Sequence, residues 1–431
     1  MRQTRTYPKA IVSRKGAKSL RGGHPWVFAD EVRRIEPAPT DGHEATNGDL
    51  VDVFEENGTW QGLGMLSLQS TIRIRIVSRN ANDVPNEAFW RRRITWAWQH
   101  RLASLGARGL DGCEPDTTCC RVLFSEADGV PGLVVDKYED VLVSQVGTVG
   151  ADALRPVLYP ILLEVLGESG NPIRGIYERN DGAVRDKEGL PRTKGWWEGA
   201  DAPKDARIVV RENGIQYHLD LQNSQKTGFF LDQKYNRRAV RDLARGRRVL
   251  DCFCHVGPFG LNALAGGAEA VRFVDVSQTA LDLARENVLL NGYDPSASDP
   301  QVSFACADVL EYLPRLRDKR TLREEGGPFD LIVLDPPAFT KSRSTVRNAQ
   351  RGYREINAQA LRILPRGGYL ATCSCSHFMT RDLLAQAIAE AAHDAGVQLK
   401  QVEERQQAPD HPILWGFPQS HYLDFFVFQA V

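Results

Sequence analysis

Residues 206–431 predict an α/β fold of Rossmann-like type, a parallel sheet with helices between its strands. Three observations carry this. Strand-length apolar runs alternate with helical stretches from about residue 206, the pattern of a parallel sheet. Runs in this region end in Asp251, Asp275, Asp308 and Asp335. The first run leads into a turn containing Gly257 and then a helical stretch, where open α/β sheets hold their ligands.

The 431 residues suggest two or three domains. A hydrophobic share of 42% and a charged share of 25% are ordinary for a globular protein. No uninterrupted apolar stretch reaches about 18 residues, so no membrane span is expected. Met1 to Tyr7 lacks the apolar core of a secretory signal, which makes a cytoplasmic location the simplest expectation. The cysteines Cys113, Cys119, Cys120, Cys252, Cys254, Cys306, Cys373 and Cys375 form no C-x-x-C pair. They predict reduced thiols, with neither disulfide staples nor a metal site. Net charge is −1, yet residues 1–35 are basic, with Arg2, Arg5, Lys9, Arg14, Lys15, Lys18, Arg21, Arg33 and Arg34 against Asp30 and Glu31. Such a patch docks phosphates or is simply a solvated surface.

Residues 1–79 carry short β-like runs with Gly-rich turns between them and predict a small β-barrel. In Thr71 to Val77 strict alternation sends the isoleucines to one face and Arg73 and Arg75 to the other. Residues 80–205 predict an α+β segment. It opens with a helix over 80–105, to which Phe89, Trp90, Ile94, Trp96, Trp98 and Leu102 give apolar contacts. Strands follow at Arg121–Phe124, Gly132–Asp136, Val141–Gln145 and near Ile176, with a helix over 151–166, and a polar linker closes it at Glu198–Asp205. In residues 206–431 the strands are Arg248–Asp251, Ala270–Asp275, Phe329–Asp335, Gly368–Ser374 and, last, Tyr422–Phe428.

The aspartates at the strand ends point to a nucleoside. Asp275 follows Asp251 by 24 residues, about where the ribose-binding acid of such folds sits, and its carboxylate suits a ribose diol. Asp308 is then expected near the adenine amine. Residues 255–260 read His-Val-Gly-Pro-Phe-Gly, without the G-x-G-x-x-G that cradles a pyrophosphate. A nicotinamide dinucleotide is therefore disfavoured, and S-adenosylmethionine (SAM), which has no phosphate, is the expected cofactor.

Two further motifs suggest a reacting centre. Asp335-Pro336-Pro337 follows an apolar strand, and its prolines stiffen the backbone behind the carboxylate. Thr372-Cys373-Ser374-Cys375-Ser376 ends another strand, with both thiols on one side and Cys375 farther out. Carbon 5 of a pyrimidine becomes nucleophilic once a thiolate adds to carbon 6, so a rim cysteine beside a carboxylate fits covalent catalysis of methyl transfer. Lys341, Arg343, Arg347, Arg351 and Arg354 follow the carboxylate loop and are candidates to hold phosphates beside Tyr353.

The chain resembles the bacterial 23S ribosomal RNA 5-methylcytosine methyltransferase I family over nearly its full length. The resemblance is carried by His24-Pro25-Trp26-Val27-Phe28, the run Phe124 to Leu133, the run Gln225 to Gln233, Asp335-Pro336-Pro337-Ala338-Phe339, Arg351-Gly352-Tyr353 and Ser374-Cys375-Ser376. It implies a Rossmann-like class I methyltransferase domain with an N-terminal PUA β-barrel and a central α+β domain, divided as 1–79, 80–205 and 206–431. It also implies methylation of carbon 5 of a cytosine in 23S ribosomal RNA, with Cys375 as nucleophile and Asp335 as its partner. The expected cofactor set is Lys226, Thr227, Asp251, Phe253, Gly257, Asp275, Ser277, Asp308 and Asp335. His255 and Pro258 depart from the family pattern, and Ala338 leaves no second cysteine after Asp-Pro-Pro. Cys373 is read as packing. Ribosomal RNA, free or in a large-subunit precursor, is the expected partner, and a homodimer is compatible with the chain. The alternatives are an RNA guanine-N methyltransferase, whose chemistry needs no cysteine, and a non-catalytic RNA-binding ribosome assembly factor.

Overall fold

The computed structural model describes residues 5–105, 116–199, 205–223, 227–296, 301–340 and 342–431. Internal contacts divide the chain into two compact units. One comprises residues 1–208, 219–229 and 409–420; the other comprises 209–218, 230–408 and 421–431.

The first unit opens with a six-stranded sheet in the order Trp26–Phe28, Ile72–Ser78, Trp60–Leu66, Leu50–Glu55, Lys9–Val12, Val32–Glu36. Ala10, Val12, Val27, Val51, Val53, Leu66 and Ile74 form its core. A helix, Arg14–Arg21, starts where the Ser13 hydroxyl accepts the Gly16 N–H at 3.3 Å, satisfying one of the free donors of the first turn. The alternation expected for Thr71–Val77 holds for Ile74 and Ile76, but Arg75 is not on a solvent face. It is buried, with its guanidinium 2.9 Å from Glu188. An ion pair of this kind replaces the water the guanidinium has lost.

A five-stranded sheet follows, ordered Thr193–Trp196, Gly175–Asn180, Val141–Val146, Leu133–Tyr138, Cys119–Phe124. The helices Glu87–Ser104 and Val149–Glu168 pack with it around one apolar core. The first begins later than the sequence suggests, because the Asn86 side chain caps it by accepting the Phe89 N–H. Trp96 was expected in its apolar face; it is instead 59% exposed, with the Arg92 guanidinium over its ring. Arg101 takes the inward position one turn on, paired through both terminal nitrogens with Asp128 at 2.6 and 2.7 Å. Two segments distant in sequence meet here: the Trp26 indole N–H donates to Glu126 at 2.8 Å.

The second unit is built on a seven-stranded sheet. In chain order its strands are β1 (Arg248–Cys252), β2 (Ala270–Asp275), β3 (Val302–Cys306), β4 (Leu331–Leu334), β5 (Tyr369–Ser374), β6 (Leu399–Gln406) and β7 (Asp424–Ala430). Their spatial order is β3-β2-β1-β4-β5-β7-β6. The first five are parallel, while β7 runs antiparallel to both β5 and β6. Strand order reverses between β1 and β4, and ligands of such sheets bind beyond the strand ends at that point. β7 starts later than the expected Tyr422 because Tyr422 is held elsewhere: its hydroxyl donates to Asp232 at 2.7 Å and its N–H to Gln407. Among the described residues no helix is long and apolar enough to cross a membrane, and no group of histidines, cysteines and carboxylates could hold a metal ion.

Candidate active site

The turn after β1 is locally unusual. Phe253, His255 and Gly257 have φ of 60°, 50° and 84°, and only glycine adopts such values without steric cost. Gly257 is also short of room, since a Cβ there would lie 3.1 Å from the Phe273 ring. The turn bends round the carboxylate of Asp275, whose two oxygens each accept one backbone N–H at 2.9 Å, from His255 and from Ser277. Each carboxylate oxygen has a second lone pair. Asp275 is thus held rigidly with acceptor capacity left for two hydroxyls.

Asp251 lies beneath. It is fully buried; one oxygen accepts the Gly260 N–H at 2.8 Å and the other has no partner among the described residues. Burial pushes its carboxyl up to about 8, and the charges of Asp335 and Asp275 push the same way. An orphaned oxygen amid carboxylates is costly alone and favourable beside a cation. SAM is cationic and carries a ribose diol, so Asp251 and Asp275 fit it.

The remaining expected cofactor residues fall as follows. Ser277 caps the helix Gln278–Leu290, accepting the Ala280 N–H. Asp308 is exposed and caps the helix Val309–Arg315, accepting the Leu310 N–H with one oxygen. Phe253 is partly buried against the core under the sheet. Thr227 belongs to the first unit, buried and hydrogen-bonded to Tyr138. Lys226 lies outside the described residues. Two residues were not singled out from sequence. Val276, after Asp275, is 71% exposed, and Leu310, two residues past Asp308, is 48% exposed. The backbone joins these loops, Ala307 N–H to the Asp275 carbonyl. Two exposed apolar side chains thus follow closely in the chain after the two carboxylates, and such surfaces suit a flat base. The signal was readable as an apolar residue just past each strand-end acid.

Beyond β4 and β5, three segments distant in sequence converge. The Phe339 and Tyr353 rings lie 4.8 Å apart, and the Tyr353 hydroxyl is 3.2 Å from the Ser376 hydroxyl. Gly352 permits this approach, because a Cβ there would stand 3.0 Å from the Phe339 ring. Tyr353 is therefore buried, not a surface ring beside phosphates. Both thiols face the Asp-Pro-Pro loop. Cys375 is half-buried with its sulfur 4.0 Å from the Pro336 carbonyl.

Cys373 corrects its reading as simple packing. It is fully buried, but its thiol donates to Asp335 at 3.0 Å and to the Leu334 carbonyl at 3.4 Å. Gln233, which sequence reasoning passed over, sends its amide N–H₂ to Asp335 at 3.1 Å and to the Cys373 sulfur at 3.4 Å. Asn236 in turn donates to the Gln233 carbonyl at 2.6 Å and fixes the amide. Burial raises the Asp335 carboxyl above its ordinary range, opposed by the Cys373 thiol, Arg237 and Gln233. Burial also drives the Cys373 thiol far upward, with Asp335 adding to it.

Among the arginines after the loop, Arg347 and Arg351 are exposed on the helix Val346–Ile363. Arg354 is not a free cation: it is held by Asp394 at 2.6 Å and Glu390 at 3.0 Å. Lys341 lies outside the described residues, and the same holds for the side chain of Arg343.

Residues 191–417 match the family model described as S-adenosylmethionine-dependent methyltransferase, and residues 10–79 match a PUA-like domain. The chain is 40% identical to a ribosomal RNA large subunit methyltransferase I of Aeromonas salmonicida, spanning 96% of this chain and 97% of that one. It is 39% identical to one from Shewanella amazonensis over 94% and 95% of the two chains. A solved Streptococcus mutans chain described as a SAM-dependent methyltransferase superposes with a TM-score of 0.76 at 21% identity, covering 98% of this chain and 100% of that one. A methyltransferase structure complexed with SAH superposes at 0.77 with 20% identity and the same coverage. The last two share the fold, with its class I methyltransferase sheet. The cofactor is S-adenosylmethionine, and the chain belongs to the ribosomal RNA large subunit methyltransferase I family.

Proposed function

We propose that this protein methylates carbon 5 of a cytosine in large-subunit (23S) ribosomal RNA through a covalent adduct with Cys375. The observation that carries the reading is the half-buried Cys375 sulfur facing the Asp-Pro-Pro loop, beside an Asp335 carboxyl whose proton affinity is raised. When bound, SAM supplies an electrophilic methyl group. Asp251 and Asp275 would hold it, the first by charge and the second through the ribose hydroxyls, with Val276 and Leu310 available to its base.

The Cys375 thiolate adds to carbon 6 of the cytosine, and the ring electrons move to nitrogen 3, which takes the proton carried by Asp335. A carboxyl with raised proton affinity suits that role. Carbon 5 is then enamine-like and able to take a methyl, which SAM would give up as its sulfonium–carbon bond breaks to leave the neutral thioether. The carbon 5 proton then passes to solvent water, the electrons of that bond expel the Cys375 thiolate, and nitrogen 3 returns its proton to Asp335. A cytosine stacked in a duplex exposes neither face, so the target base is flipped or single-stranded.

The test is nucleoside analysis of ribosomal RNA after incubation with enzyme and labelled SAM. The label is expected in 5-methylcytidine. Label in a methylguanosine, or full activity in Cys375→Ala, would replace this reading with guanine-nitrogen chemistry.

A further inference from the structure

Trp415 is 94% exposed, although tryptophan is highly buried on average. The loop that carries it is not loose. On one side Asp410 and His411 are buried, with the Asp410 carboxylate accepting the Arg121 N–H at 3.1 Å and the Asp410 carbonyl accepting from Arg101 at 2.9 Å. On the other side the Phe417 ring packs edge-on against Trp26 at 4.7 Å and His24 at 5.3 Å. Ser420 ties the loop to itself, accepting the Leu414 N–H at 2.9 Å and donating to the Phe417 carbonyl at 2.7 Å. Gly416, at φ 92°, lies against the backbone of Gly22 and Gly23, so closely that a Cβ on it would stand 2.8 Å from the Gly22 carbonyl oxygen. The indole is held out in water on a pinned base.

Its neighbourhood is basic. Gly22 ends the helix Arg14–Arg21, with its N–H on the Lys18 carbonyl one turn back. Arg14, Lys18 and Arg21 stand at i, i+4 and i+7 and share one exposed face of that helix. Arg21 is paired with Glu55, whereas Arg14 and Lys18 have no ion-pair partner among the described residues. A flat ring on a pinned loop seated against the end of a helix that carries unpaired cations matches single-stranded RNA, whose bases offer π-faces and whose backbone offers charge.

We infer that Trp415 and the Arg14–Lys18 face of the first helix form a second RNA-docking surface, on which one unpaired base stacks on the indole while Arg14 and Lys18 hold adjacent phosphates. This deepens the proposed function and rests on RNA being the substrate. It joins a loop from the C-terminal part of the chain to the N-terminal domain, so neither makes the surface alone.

The test is fluorescence anisotropy of a short fluorescein-labelled single-stranded oligoadenylate with the full-length protein. Trp415→Ala and Trp415→Leu are each expected to weaken binding roughly tenfold, and Trp415→Phe to stay near wild type. The double variant Arg14→Gln/Lys18→Gln is expected to lower the slope of log affinity on log salt by about 0.7 per lost phosphate contact. Because Trp415 buries almost nothing, thermal unfolding should not move. Wild-type affinity in Trp415→Ala, or equal losses in the Phe and Ala variants, would overturn the inference. So would a change from dimer to monomer in sedimentation of Trp415→Ala, which would mean that a second copy covers the ring. Methylation of large-subunit RNA is scored separately. If transfer persists while the oligoadenylate effect is absent, the surface falls and the activity stands; if the effect is present and no cytidine is methylated, the reverse holds.

Discussion

The Cys373 thiol donates a hydrogen bond to the Asp335 carboxylate at 3.0 Å, while the Cys375 sulfur lies 4.0 Å from the Pro336 carbonyl. In the proposed mechanism, two cysteines two residues apart on one strand end are divided between positioning and attack. Cys375→Ser is expected to lower methyl transfer by on the order of 10³ or more and to form no denaturation-resistant adduct with RNA containing 5-fluorocytosine. Cys373→Ala should still form the adduct. Removing the thiol takes away a hydrogen bond that favours ionised Asp335, so the Asp335 limb of the kcat–pH profile should move to higher pH. An unmoved limb would deny Cys373 this role.

Asp275 accepts two backbone N–H groups and keeps a lone pair on each oxygen, the acceptors proposed here for the cofactor ribose. Hydrogen bonds to a charged group contribute about 1.5–3 kcal/mol. Asp275→Ala is therefore expected to weaken SAM binding at least roughly tenfold by titration calorimetry. Unchanged affinity would remove Asp275 from the site.

Asp251 gives the protein a pH signature. Burial holds its carboxyl at about 8 in the folded state, whereas an exposed aspartate titrates near about 4. The folded chain binds this proton more tightly than the unfolded one. The stability it contributes is complete below about 4 and is lost as pH rises through about 8. Cofactor-free protein should show a Tm that falls across this window, and Asp251→Asn should flatten the curve. Saturating SAM should flatten it in the wild type, since a bound cation favours the ionised form. Parallel curves for wild type and Asp251→Asn would refute this account.

Tyr353 braces the segment that presents Cys375 through its contact with Ser376. Tyr353→Phe removes one neutral hydrogen bond, a loss of about 1 kcal/mol. We expect kcat to fall roughly fivefold while SAM affinity holds. A loss confined to SAM affinity would place the residue elsewhere.

The arginines of the helix Val346–Ile363 should separate in salt titrations of RNA binding. Arg351→Gln is expected to reduce the salt slope by about 0.7–0.9. Arg354→Gln should leave it unchanged, because Asp394 and Glu390 already hold that guanidinium. Equal slopes for the two variants would show that neither meets phosphate.

The sequence by itself determined the parallel sheet, the aspartates at its strand ends and the two thiols on one side of β5. These follow from periodicities of two and 3.6 residues and from turn chemistry, which act over a few neighbours. Whether a charged or aromatic side chain finds a partner is set by residues far along the chain. Arg75 is drawn inward by Glu188, Trp96 is left outside, and Arg354 is neutralised by Asp394. The link from Gln233 to Asp335 and Cys373 spans about a hundred residues or more, and no local pattern encodes it. Only the folded chain decided which of two chemically identical thiols is sealed against a carboxylate and which is left at the rim. Burial and pairing depend on the assembled neighbourhood, not on the residue alone.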